Sequence, residues 1–403
     1  MRIRRTFYFF AFLIFYIFLH RKIFPFYIKV SEDSFNNFEF CPACYGTKFC
    51  PQILNNLELA TESKIRLFKF LNAKNVYYGQ INNAEIVAKK LAHDWELEKM
   101  DKKLCDLAEI SYIRCNPKDA LYFIYRKLNP NEENRDPINM IFKLVSHIET
   151  VTDILKCKSK RLLEYGIEKI YGPNVEDLKT DELLELVYTI LVNPEPIILQ
   201  LFPPQEGWPF PRYHGTCGRV LVEEYIGPSL SSVMDADWPT RLQVSYQLLQ
   251  LAFLFTHNHL NFSLYLTDVS LDNFALSPDG SVFLIDAESL LFADKVQISK
   301  DQPAGWREPC ISRGEGCHDC LSFSVEDLCS HVTADHNYYA ICHSLLIPGG
   351  YASDRGLLHD IPPEVEASTE LRSLIQECAM PSDPNQSRLP LVPRLLQTMR
   401  SLI

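Results

Sequence analysis

No part of this 403-residue sequence carries a basic stripe. Lys and Arg total 40 against 51 Asp and Glu, a formal net charge of -11. Such a chain is repelled by a phosphate backbone, which excludes nucleic acid as its main partner. The one basic cluster, residues 156–161 (KCKSKR), is short and reads as a solvated face. Internal repeats and low-complexity tracts are absent too, so neither a repeat array nor a largely disordered chain is expected. An apolar run of full membrane-spanning length is also missing. Residues 7–19 are continuously apolar, whereas a span needs roughly 20 such residues. Arg2, Arg4 and Arg5 precede the run, and His20, Arg21 and Lys22 close it. This is the layout of a secretory apolar region behind a basic start. No small-x-small cleavage site follows, and IFPFYI resumes the apolar character, so an uncleaved signal anchor is expected ahead of a cleaved peptide.

Cysteine, by contrast, is plentiful at 13. In an oxidising lumen most of these thiols should be paired. The disulfide candidates are Cys41, Cys44 and Cys50 (CPACYGTKFC), Cys105 with Cys115 (CDLAEISYIRC), and Cys310, Cys317, Cys320 and Cys329. Cys41 and Cys44 resemble half of a zinc ribbon, but CHDC at Cys317 and Cys320 offers the one second half, so disulfides are expected instead. Cys217 and Cys342 stand in apolar runs and read as simply buried. Asn385 (NQS) lies among Pro, Asp and Ser and is the expected glycan acceptor, while Asn261 (NFS) is expected to be too buried. The expected location is the ER or Golgi lumen, either as a single-pass type II membrane protein or secreted.

The chain divides into a targeting segment (1–30), a cysteine-rich collar (31–60), a part with most of the strands (61–225) and a helical part (226–403). Residues 92–178 read as a charged, largely helical insertion in the third part. NVYYGQINNAEIVAKKL predicts a hairpin turning at Asn82 and Asn83. KTDELLELVYTILVN predicts a helix that NPEP ends. Residues 197–202 and 219–225 read as strands, and residues 240–257 as a long apolar helix. Strands early and helices late imply an α+β fold, a small sheet lobe joined to a larger helical one.

The chemistry concentrates in LTDVSLDNFALSPDGSVFLIDAE. Two apolar arms, FAL and SVFLID, flank the turn SPDG, and Gly280 suits a positive φ there. Such a hairpin returns Asp286 towards Asn273. A carboxylate and an amide oxygen suit a hard cation and leave it room for phosphates. Asp268 then stands where a hydroxyl must lose its proton.

DVSLDNF followed by VFLIDAE resembles the catalytic loop and metal-binding strand of protein kinases. Together with CPACYGTKFC, NPEPIILQLFPPQEGWPF, LYLTDVSLDNFAL and CLSFSVEDLC…DHNYYAIC, these motifs are similar to the divergent protein kinase domain 2 family. Its members are also called deleted-in-autism proteins, and they are related to the cysteine-rich family with sequence similarity 69. The resemblance runs from about Cys41 to the C-terminus. It implies a two-lobed protein-kinase-like fold, with ATP and Mg²⁺ or Mn²⁺ as cofactors. Lys89 takes the place of the lysine that holds the α- and β-phosphates, with Lys90 as fallback. Glu182 is the favoured helix partner of that lysine, ahead of Glu185 and Glu96. The backbone at Glu224 and Tyr225 is placed to meet an adenine, Asn273 and Asp286 to hold the metal, and Asp268 to serve as base. Asp335 is the residue expected to anchor the catalytic loop from below.

The sequence departs from that pattern. Residues 68–75 (FKFLNAKN) stand where a glycine-rich phosphate loop belongs. Thr267 and Ser270 replace basic residues, and Glu288 adds a carboxylate. The resemblance therefore supports three readings. The first is a lumenal kinase that transfers phosphate from ATP to a protein or glycan hydroxyl. The second is a pseudokinase acting as a secreted or membrane-tethered signal for a receptor. The third is a purely structural lumenal partner.

Overall fold

A computed structural model describes residues 27–28, 36–60, 75–111, 115–130, 136–149, 152–312, 321–347 and 355–403. Most of the targeting segment, Cys317, Cys320 and nearly all of the phosphate-loop region lie outside the described residues.

The sheet lobe is a six-stranded sheet in the order β1-β2-β3-β4-β6-β5, antiparallel at every pairing. Its strands are β1 (Tyr27–Ile28), β2 (Leu57–Ala60), β3 (Val76–Ile81), β4 (Ala84–Lys90), β5 (Tyr213–Cys217) and β6 (Val220–Glu224). The expected hairpin is β3 and β4. Asn82 and Asn83 turn it with φ of 50° and 65°, and asparagine tolerates that left-handed pair better than most residues. The strand expected at 219–225 is β6. The one expected at 197–202 is instead a helix. An unbroken apolar run does not distinguish the two, and Pro196 lies in the first helical turn, where proline favours a helix start.

The helices are α1 (Cys50–Asn56), α2 (Asp94–Leu107), α3 (Pro117–Leu128), α4 (Pro137–Ile148), α5 (Lys160–Tyr171), α6 (Thr180–Val192), α7 (Glu195–Leu201) and α8 (Trp238–Thr256). Shorter helices follow: α9 (Lys295–Asp301), α10 (Val325–Ser330), α11 (His336–Ile341), α12 (Pro363–Ser368), α13 (Leu371–Ala379) and α14 (Val392–Arg400). The insertion, α2 to α5, is not peripheral. Its apolar faces share one core with α6, α7 and the helical lobe. Among the described residues no single helix is long and apolar enough to cross a membrane.

Residues 156–161 depart from the solvated face expected of them. Lys156, Lys158 and Lys160 are exposed, but the alternate residues Cys157 and Ser159 are buried. Arg161 docks on the helical lobe through Asp294 at 2.6 Å and the carbonyl of Leu260 at 2.8 Å.

Disulfides join Cys41 to Cys44, Cys50 to Cys217, Cys105 to Cys115, Cys157 to Cys329 and Cys342 to Cys378. Cys217 and Cys342 are therefore bonded rather than merely buried. Cys310, an expected disulfide residue, carries a free thiol. Cys329 is taken by Cys157 of the insertion, and burial pushes the Cys310 thiol up to about 11. Asn385 is exposed, as expected. Asn261 is exposed too, contrary to expectation, because it forms a corner with φ of 57°.

In the helical lobe, β7 (Phe262–Leu266) pairs with β10 (Leu290–Asp294), and β8 (Phe274–Leu276) pairs with β9 (Val282–Leu284). Asp335 does not hold the catalytic loop. It accepts from Ser312 N at 2.8 Å and from Arg388 N and Nη1 at 3.0 and 3.1 Å. Its two successors do the anchoring. Asn337 Oδ1 accepts from Leu266 N at 2.9 Å, and His336 Nε2 donates to Leu266 O at 2.8 Å. Burial lowers His336 to about 4, so its ring is neutral.

Candidate active site

The site is built where β4, β6, α7 and the β9–β10 connection converge. Lys89 stands opposite Leu221 and Val87 opposite Glu223, so Lys89 and Glu223 are diagonal neighbours on one face of the sheet. Lys89 Nζ lies 2.9 Å from Glu223 Oε1 and 3.0 Å from Glu195 Oε1. It also donates to the carbonyl of Ile285. The second oxygen of Glu195 is not needed to reach the loop, since Oε1 also accepts from Ala287 N at 3.1 Å. The two backbone groups that flank Asp286 are thus pinned by Lys89 and Glu195.

The helix partner of Lys89 is Glu195, not Glu182. Glu182 caps α6, accepting from Lys179 N at 3.2 Å, and pairs with Lys48 at 3.1 Å. Glu195 follows a break in the helix at Asn193 and Pro194, and Asn193 Oδ1 accepts from Glu195 N at 3.0 Å. NPEP reads equally as the end of one helix and the start of the next, and that second reading was the missed signal. Glu223 was missed too. A carboxylate within the apolar strand RVLVEE was its signal.

Among the described residues one cation, Lys89, stands amid Glu195, Glu223, Asp286 and Glu288. Burial alone would lower the lysine, but Glu195, Glu223 and Asp286 outweigh it and hold Lys89 protonated. The carboxyls move upward. Burial raises Glu195, against the attraction of Lys89. Burial, with Glu195 beside it, pushes Glu223 up to about 8. Glu288 is exposed as a residue, yet its carboxyl is half-buried against Asn193, and burial and Asp286 push it up to about 8. One lysine cannot balance four carboxylates in a low-dielectric cleft, so protons are retained. Glu223 Oε2 is buried without a hydrogen-bond partner among the described residues.

Asn273 is buried, and its Nδ2 donates to the Asp268 carbonyl at 3.3 Å, which leaves its amide oxygen as an acceptor. The β8–β9 hairpin places it beside the strand that ends at Asp286, with Ile285 N bonded to Asn273 O at 2.8 Å. Asp286 is half-buried and Asp268 exposed. This oxygen-rich, over-negative set fits a divalent cation, which Asp286 and Asn273 would hold. The adenine assignment fares less well. Glu224 N and Tyr225 N are already bonded to the carbonyls of Arg212 and Glu85, at 3.0 and 3.2 Å. Lys90 pairs with Asp94 at 3.0 Å and takes no part. Thr267, in the place of the missing arginine, donates to Asp153 of the insertion at 2.9 Å.

The model described as the protein-kinase domain of FAM69 matches residues 187–381, the stretch that holds Glu195, Asp268, Asn273 and Asp286. The chain is 38% identical over 373 residues to divergent protein kinase domain 2A of Xenopus tropicalis, covering 88% of this chain and 84% of that protein. This chain belongs to the divergent protein kinase domain 2 family. Domain 2A of Homo sapiens is 37% identical over 374 residues, with the same coverage of both chains. Domain 2B of Homo sapiens is 25% identical over 385 residues, covering 92% of this chain and 83% of the relative. The α+β, protein-kinase-like architecture is thus that of a divergent kinase family.

Proposed function

We propose that this divergent kinase binds ATP with Mg²⁺ or Mn²⁺ and transfers phosphate slowly to a protein or glycan hydroxyl in the secretory pathway. The observation that carries the reading is the frame around Asp286. Lys89 and Glu195 grip the peptide groups on either side of it, so the carboxylate is positioned before any ligand arrives. Cation-bound ATP supplies the phosphoryl group. Asp286 and Asn273 hold and orient, and exposed Asp268 accepts the proton of an incoming hydroxyl. The paired cysteines suit an oxidising lumen, where the N-terminal segment would tether or release the chain.

A second reading is a pseudokinase that acts through a receptor. Lys89 has three N–H donors, and Glu195, Glu223 and Ile285 O already take all three. Phosphate contact therefore requires Glu223 to yield.

The test is a melting assay of the full chain with ATP and each cation, run beside a transfer assay. Binding to the native state alone adds about 2.7 kcal/mol at hundredfold excess over Kd. Asp286→Ala should abolish the shift. Asp268→Ala should keep the shift and lose transfer. A shift without any transfer in the wild type selects a nucleotide-binding pseudokinase, and no shift at millimolar ATP rejects the transfer reading and leaves a pseudokinase that acts without nucleotide.

A further inference from the structure

The collar holds a second chemical cluster that the cleft does not use. CPAC closes Cys41 and Cys44 into one disulfide. Cys41 is partly exposed, whereas Cys44 is fully buried. A carboxylate oxygen of Glu185 lies within 4.8 Å of both sulfurs. Glu185 projects from α6, is 8% exposed, and meets Thr47 Oγ1 at 3.5 Å. Asp181 and Glu182 on its own helix, Lys48 of the collar, Tyr122 of α3, Tyr171 of α5 and Tyr213 of β5 are its charged and titratable surroundings among the described residues. A buried acid beside a C-x-x-C pair with one partly exposed and one buried cysteine is an arrangement suited to disulfide exchange.

We propose that Cys41 and Cys44 form a thiol–disulfide exchange site for a dithiol, with Glu185 moving the proton of the buried sulfur. A thiolate of the dithiol attacks Cys41 Sγ, the sulfur it can reach. The S–S bond breaks and its electron pair leaves on Cys44 Sγ. A thiolate buried among apolar groups is costly, so Glu185 protonates it. The second thiolate of the dithiol then attacks its own sulfur in the mixed disulfide and releases Cys41. The dithiol is oxidised to a disulfide, the pair takes up two electrons, and the two thiol protons end on Cys41 and Cys44, with Glu185 restored from solvent. The reverse sequence lets the reduced pair open a disulfide, Glu185 then accepting the Cys44 proton. Burial, with Asp181 beside it, pushes Glu185 up to about 7, so both forms of the carboxyl exist near neutrality.

The test exposes the folded full chain to limiting dithiothreitol, quenches with an alkylating agent and maps each cysteine by mass. The Cys41–Cys44 bond should open about tenfold faster than Cys105–Cys115, the other short-range pair among the described residues. Glu185→Gln should slow that opening about tenfold without lowering the melting temperature, and should remove the bend near neutral pH from the rate profile. Glu185→Asp should restore part of the rate. Cys44→Ser should trap a thiol on Cys41 as a mixed disulfide. Opening no faster than Cys105–Cys115, or an unchanged rate profile in folded Glu185→Gln, overturns the proposal. So does stoichiometric zinc uptake by the reduced chain, which would make the cluster a metal site. If Cys44→Ser does not fold, the wild-type rates and the Glu185 variants decide between exchange and an inert bond.

Discussion

Two of the buried charge clusters among the described residues are built differently. In the helical lobe, Asp335 and Arg388 form a pair that is almost fully enclosed, and the surrounding backbone satisfies the rest. Arg388 Nη1 donates to Ser312 O at 2.8 Å, and Asp335 also accepts from Ser312 N. His336 beside them is neutral. In the cleft, among the described residues, Lys89 faces Glu195, Glu223, Asp286 and Glu288, and one carboxylate oxygen has no partner. Burying an unbalanced charge is costly, so folding alone does not select such an arrangement. The balanced cluster holds the helical lobe together. The unbalanced one is suited to a ligand that brings positive charge.

The largest expected effect would break the balanced side of this contrast. Arg388→Ala strands a buried carboxylate and should cost about 3–5 kcal/mol in urea unfolding. A loss under about 1 kcal/mol would mean that the two clusters do not differ as described.

A smaller change sharpens the other side. Glu223, raised to about 8, largely keeps its proton at neutral pH, so Glu223→Gln removes the cost of holding that proton and leaves Lys89 a neutral amide oxygen to bond. At neutral pH it should stabilise the free protein and tighten ATP–Mg²⁺ binding, each by about 1 kcal/mol. Calorimetric titration and melting would check both. Weaker binding with a lower melting temperature would mean that Glu223 is needed ionised.

The smallest effect is in pH. Glu223 and Glu288 are raised in the folded chain from 4.5 to about 8, so the native state binds more protons than the unfolded chain between those values. Their contribution to stability is full below about 4.5 and lost as pH rises through about 8. Melting temperature should therefore decline gently from mild acid to pH 8, and added Mg²⁺ or Mn²⁺ should flatten the slope. Glu223→Gln should flatten it without metal. A slope that ignores both would place the protons elsewhere.

Much of this was legible in residue order, because it rests on local spacing. Asn82 and Asn83 accept left-handed backbone, so the hairpin carrying Lys89 follows from two adjacent residues. The turn SPDG closes β8 on β9 and brings Asn273 and the Asp286 strand together. Cys105 and Cys115 are close enough in sequence to find each other. Tertiary structure decided the rest. Whether Glu182 or Glu195 reaches Lys89 depends on how α7 docks against the sheet after Pro194, and both glutamates look alike in a helical pattern. Cys50 meets Cys217 across 167 residues, and Cys157 meets Cys329 across 172, so packing chose those partners and left Cys310 unpaired. The closeness of Glu185 to the Cys41–Cys44 bond has the same origin. Local spacing fixes which groups a segment can present, and only the packed core fixes which distant group meets them.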